Sequence, residues 1–130
     1  MKPIVMLTIP HAEQRYPTVG DYQEDHGLIV ISVSKTEDWR YDALVAVHEL
    51  VEKLCCMAHG VTDAQVDDFD LAFVEHGCEV CGNRDEPGAD HHAPYHQEHI
   101  VAERVERIVA VAMGVNWHDY EDALGRLCVT

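Results

Sequence analysis

The chain reads as an α+β domain, a small antiparallel sheet of two or three strands packed on about four helices. Three observations predict this. β-branched apolar runs fill the first quarter, the apolar spacing turns helical after Ser34, and 130 residues suffice for one core and not for two. A single domain spanning 1–130 is expected, with strands in 1–34, a central helix in 35–60, a long loop in 77–94 and a further helix in 94–113.

Ile4 to Ile9 is an apolar, β-prone run stopped by Pro10, and Leu28-Ile-Val-Ile-Ser-Val is rich in β-branched residues. Both predict strands. Thr18 to Gln23 offers a third, hairpinned onto the Leu28 strand through Glu24-Asp25-His26-Gly27. Ser34 and Glu37 have capping-box spacing, and Ala43, Leu44, Val47, Leu50, Val51 and Leu54 then carry a helix to a stop at Gly60. This helix is apolar around most of its circumference, which places it at the centre of the domain. Thr62 and Gln65 form a second capping box, opening a helix with a Val66, Phe69 and Phe73 core stripe and a stop at Gly77.

From Gly77 to Pro94 there is no periodicity, and the stretch holds three of the eight glycines and two of the five prolines. A long loop follows, of the kind that in compact domains is usually functional or disordered. A third helix is expected from Pro94, as a first-turn residue, to Gly114, with Val101, Val105, Ile108 and Ala112 facing the core. Asn116 and Asp119 then cap a last helix bearing Tyr120, Ala123, Leu124 and Leu127.

With 24 Asp and Glu against 9 Lys and Arg, the net charge is −15. That disfavours nucleic acid and anionic membrane surfaces and favours cations. Between Thr62 and Glu106 lie 12 acidic and 2 basic residues, ten of the fifteen net negative charges, together with His76, His91, His92, His96 and His99. No apolar run approaches the roughly 20 residues that cross a bilayer, and Ile4 to Ile9 is too short for a secretory signal. A cytoplasmic protein is expected. The five cysteines, an odd number, argue against a disulfide framework. Cys55 and Cys56 continue the apolar pattern of the central helix. Cys78-Glu79-Val80-Cys81 is a lone CxxC, which a structural zinc would have to complete with two ligands from His76, His91, His92 or His96. Two ordinary loop thiols or a redox pair are the competing readings, and a redox pair lacks its usual strand-to-helix setting.

The most informative segment is Val47-His48-Glu49-Leu50-Val51-Glu52. At about 100° per residue, His48 and Glu52 are stacked on one helix face about 40° apart, so both reach one ion. Two polar groups within an apolar stripe need a partner, because an unsatisfied one costs about 1–3 kcal/mol. A third ligand must come from elsewhere. His96, His99, Glu103 and Glu106 share one face of the third helix, at spacings i, i+3, i+7 and i+10. That face is opposite the apolar stripe and would equally suit solvent. What distinguishes it is the repeated His-x-x-x-Glu of His48/Glu52 and His99/Glu103. His99 is the first choice, Glu103 or Glu106 the next, and Asp90 or His92 from the loop the last.

The helix segment resembles the HExxH signature of zinc peptidases, in which two histidines hold zinc and the glutamate between them is the general base. The strand leading into it also resembles the minimal zincin-like metallopeptidases. Here the second histidine is replaced by Glu52, giving HExxE over roughly Leu28 to Cys55. By resemblance, His48 and Glu52 are ligands and Glu49 is the base acting on a peptide or protein substrate. The whole chain is similar to a family of short phage and prophage proteins, through Tyr16-Pro-Thr-Val-Gly-Asp21, Asp38-Trp-Arg-Tyr41, the His48 to Glu52 segment, Glu86-Pro-Gly88, Ala93-Pro-Tyr95, Glu98-His99 and Gly114-Val-Asn-Trp117. That likeness implies a phage origin and no mechanism.

The same residues allow a second reading. Glu49-x-x-Glu52 and Glu103-x-x-Glu106 resemble the carboxylate pairs of all-α nucleoside triphosphate pyrophosphohydrolases, which hold magnesium against phosphates. The N-terminal strands and the neighbouring histidines count against it, since magnesium, like manganese, prefers oxygen. A third reading is a non-enzymatic phage protein that binds a host partner. The leading expectation is a zinc-dependent hydrolase with His48, Glu52 and His99 on the ion, Glu49 as base and the 77–94 loop as a lid.

Overall fold

A computed structural model describes residues 1–78, 81–82 and 86–128. Their elements, in order, are β1 (Ile4–Ile9), a single 3₁₀ turn (His11–Glu13), β2 (Gly20–Asp25), β3 (Leu28–Ser34), α1 (Trp39–His59), α2 (Asp63–His76), α3 (His96–Ala112) and α4 (Trp117–Cys128). This is the expected α+β class, a small sheet packed on helices. No helix among the described residues is long and apolar enough to cross a membrane. Glu79 and Val80, inside the CxxC, lie outside the described residues, as do 83–85 in the long loop.

The β2–β3 hairpin forms, but its first strand is Gly20–Asp25 rather than Thr18–Gln23: Gly20 is opposite Val33, and Glu24 and Asp25, expected in the connection, pair with Ile29 and Leu28. His26 and Gly27, at φ 49° and 78°, make its two-residue turn, the left-handed pair that matches strand twist. The sheet is not wholly antiparallel, however. Its order is β1-β3-β2, and β1 runs parallel to β3, with Ile4 beside Ile29 and Ile9 beside Ser34. The hairpin occupies one edge of β3, so β1 takes the other, and the 10–19 segment must cross the end of β3 to reach β2. Ser34 fastens that crossing. Its hydroxyl donates to Thr18 O (3.3 Å) and accepts from Gln14 Nε2 (3.1 Å), while its backbone N–H donates to Val19 O (2.8 Å).

Ser34 is therefore a strand residue and not the cap of the central helix. Asp38 caps α1 instead, its Oδ1 accepting from Arg40 N at 2.9 Å. The stop at Gly60 is as expected, with φ 73° in the left-handed region that favours glycine. Thr62 and Gln65 form the full reciprocal capping box. Pro94 precedes α3 by two positions and lies outside its first turn, the N-cap being Tyr95.

α1 lies between the sheet and α3. On the sheet side, Leu44 and Val45 cluster with Tyr22, Ile31 and Val33. On the other side, α3 turns toward α1 the face that was expected to meet solvent. Its buried residues are Glu98, His99, Ala102, Glu106 and Ala110. The predicted core stripe is largely outside: Val101 and Ala112 are exposed, and Ile108 is 68% exposed. The reason is physical. Ala102 and Ala110 let the helices approach closely, and His99 and Glu106 find partners on α1 and α4, so their burial leaves those polar groups bonded.

Leu44 has no exposed surface. Leu44→Ala is expected to cost about 2–5 kcal/mol of unfolding free energy, measured by urea denaturation, because the cavity opens where α1 meets the sheet.

Candidate metal centre

Three donor atoms meet between α1 and α3. His48 Nε2 is 3.2 Å from Glu52 Oε2 and 3.2 Å from His99 Nδ1, and His99 Nδ1 is 3.0 Å from the same Glu52 oxygen. The helical period stacks His48 on Glu52, as predicted, and α3 brings in His99. These three residues form a group able to hold one ion.

The far side of each donor is also occupied, so each ring can direct an N–H outward. His48 Nδ1 donates to Glu106 Oε1 at 2.7 Å, and Glu106 Oε2 accepts from the Tyr120 hydroxyl at 2.6 Å. Glu52 Oε1 accepts from the Tyr22 hydroxyl at 2.9 Å. His99 Nε2 faces Glu86 Oε1 at 3.4 Å. A neutral imidazole carries one N–H, so rings that direct it outward to carboxylates present lone pairs inward. Three lone pairs then converge on one point, an arrangement that repels itself unless a cation or proton fills it.

The electrostatics agree. Burial alone would lower the basicity of His48, but the hydrogen bonds with Glu106 and Glu52 and the charges of Glu49 and Glu52 outweigh it and push the ring up to about 11. His99 moves the same way, burial being overcome by Glu52 and Glu86. In the metal-free chain, protons supply the positive charge that the carboxylates demand. Zinc at roughly 2.0–2.1 Å from nitrogen and oxygen ligands in a tetrahedron sets adjacent donors about 3.3 Å apart. The observed 3.0–3.2 Å triangle fits that spacing, and two imidazoles with one carboxylate suit zinc far better than magnesium.

The other predicted residues take different places. Glu106 backs His48 and is not among the converging donors. Glu103 lies at the rim, its carboxylate 3.9 Å from Arg107. His96 bonds Gly88 O at 3.0 Å, away from the triad. Asp90 and His92 belong to a separate group with Cys78 and Cys81. Glu49 shares a cavity of about 570 Å³ with the triad. Among the described residues nothing donates a hydrogen bond to it, and enclosure by the protein together with the charge of Glu52 holds its carboxyl well above the ordinary range.

Tyr22, Tyr120, Glu86 and Gly88 were not singled out for the site by sequence. The tyrosines read as core residues, and only their hydroxyl partners reveal the second role. Gly88 had a signal in the Glu86-Pro87-Gly88 turn. A Cβ there would lie 2.4 Å from His99 Nδ1, so only glycine lets the loop pass over that ring.

Partners behind metal ligands typically contribute 10- to 100-fold to affinity. Tyr22→Phe, which removes the hydroxyl donating to Glu52 Oε1, is expected to weaken zinc binding by about that factor in a chelator competition, with circular dichroism unchanged. Gly88→Ala should weaken it further by displacing His99.

No protein-family model, curated protein or solved structure matches the chain.

Proposed function

We propose that the chain is a zinc-dependent hydrolase of zincin-like type, encoded in a phage or prophage and acting on a peptide or protein. The observation that carries this reading is the inward convergence of His48 Nε2, Glu52 Oε2 and His99 Nδ1, each backed by a partner on its far side. A zinc ion held there supplies Lewis acidity, polarising a carbonyl and lowering the pKa of water toward about 7.

The chain's own residues do the rest. Glu49 opens onto the same cavity with no competing hydrogen bond among the described residues, as a general base requires. Positive charge at the triad would favour its ionised form, opposing the burial and the charge of Glu52 that now hold its proton. Glu106 and Tyr22 keep His48 and Glu52 oriented during the reaction. Thr18, Val19, Gly20 and Tyr22 form one wall of the cavity onto which the triad and Glu49 open.

The cavity lining also weighs against the pyrophosphohydrolase reading. Eight carboxylates line it, Asp21, Glu49, Glu52, Asp70, Glu86, Glu103, Glu106 and Glu121, and no Lys or Arg among the described residues. With no cationic side chain among them, a triphosphate would have to be held through magnesium alone, and the two imidazoles at the converging donors favour zinc over magnesium. A cytoplasmic location, that of the host for a phage gene, accords with the odd number of cysteines.

The test is metal content together with hydrolysis of a mixture of fluorogenic peptides. His48→Ala is expected to lose the ion of this site. Glu49→Gln should retain it and lose about 10²-fold or more in rate. Hydrolysis unchanged in Glu49→Gln would overturn the reading, and magnesium-dependent release of pyrophosphate would replace it with the phosphohydrolase. A protein that binds no ion would leave the non-enzymatic, partner-binding role.

A further inference from the structure

Among the described residues of the loop between α2 and α3, the buried apolar side chains are few: Cys78, Ala93 and Tyr95. Yet the loop performs an exacting task, passing Gly88 over the His99 ring and setting Glu86 beside His99 Nε2. A segment with so few needs another restraint to offset its conformational entropy.

We propose that this restraint is a second, structural zinc ion held by Cys78, Cys81, Asp90 and His92. One ligand atom from each lies within 4.8 Å of the other three. Cys78 Sγ is 3.4 Å from His92 Nδ1, and Cys81 Sγ is 3.4 Å from Asp90 Oδ2. Tetrahedral zinc, at roughly 2.3 Å from sulfur and 2.0–2.1 Å from nitrogen or oxygen, puts such pairs about 3.5 Å apart. Asp90 Oδ1 is 2.9 Å from His92 Nδ1 and accepts from His92 N at 2.8 Å, so the loop backbone itself orients the carboxylate.

Local structure assembles the set. After the CxxC, Gly82 adopts φ 76° and donates to Cys78 O at 2.8 Å, closing the turn that brings the two sulfurs to one side. Asp90 N donates to Pro87 O and Ala93 N to Asp90 O, at 3.1 Å each, which folds the second pair back onto the first. Asp90 is only 2% exposed, a placement for a carboxylate that a cation explains. Thiols with an imidazole and a carboxylate form a donor set that selects zinc over magnesium or calcium. His76 and His91, also expected as candidates, are elsewhere: His76 pairs with Glu75, and His91 packs on His96. The inference stands on the loop's own donors and does not depend on the hydrolase reading.

Cobalt(II) tests it on the intact chain, purified without metal under a non-thiol reductant. Sulfur ligation to cobalt gives a near-ultraviolet charge-transfer band that the sulfur-free His48 site cannot produce. The expected result is about two cobalt ions per chain with this band present. The band should vanish in Cys78→Ser and in Cys81→Ser, and persist in His48→Ala. A wild-type protein that saturates without the band overturns the proposal and leaves the His48 centre intact. So does a band that survives both cysteine substitutions. A band that persists while His48→Ala binds as much cobalt as wild type supports this centre and removes the other.

Discussion

The packing of α1 against α3 depends on a cluster of buried polar groups, His48, Glu52 and His99, that must satisfy one another. His48, Glu52 and His99 direct acceptors at one point, and Glu106, Tyr22 and Glu86 occupy the other sides of the same groups. Replacing the cation by protons is tolerable, which is why the His48 ring holds its proton so firmly. With neutral rings, one imidazole can turn its single N–H inward to Glu52 Oε2, giving up its contact with the outer carboxylate. The helix pair is thus organised around these converging polar groups, with Ala102 and Ala110 allowing the close approach.

This explains the orientation of α3, the largest departure from expectation. Apolar periodicity favours Val101, Val105, Ile108 and Ala112 as the inner face, yet His99 and Glu106 are inside and Ile108 is outside. An exposed isoleucine forgoes about 1.5–3 kcal/mol of burial, whereas hydrogen-bonded charged groups in a shared network, once bonded, can be buried at little net cost. The network also extends well beyond the ligands. Tyr120 comes from α4, Tyr22 from β2 and Glu86 from the loop, so three separate segments converge on two helices.

The acidic balance acquires a location in the same way. Much of the charge rims one cavity, where Asp70 illustrates the cost: burial lifts its carboxyl to about 6 despite hydrogen bonds from Tyr95 and Tyr16. Such surroundings attract cations to both donor groups, the triad and the cysteine loop, and the loop links them by seating Gly88 and Glu86 on His99.

Local rules sufficed for much of the fold. The existence of the β2–β3 hairpin, the Gly60 stop, the Thr62/Gln65 box and the ranges of β1 and β3 each depend on residues within a few positions of one another, and a single sequence displays them. The stacking of His48 on Glu52 was legible for the same reason, being a consequence of helical pitch alone. Tertiary structure decided the parallel edge strand, the capture of Ser34 by the crossing segment, the inward face of α3 and the roles of Tyr22, Tyr120 and Gly88. Those outcomes depend on partners 11 or more residues away, and hydrophobic spacing, which registers apolar atoms only, carries no information about polar groups that satisfy one another across the fold.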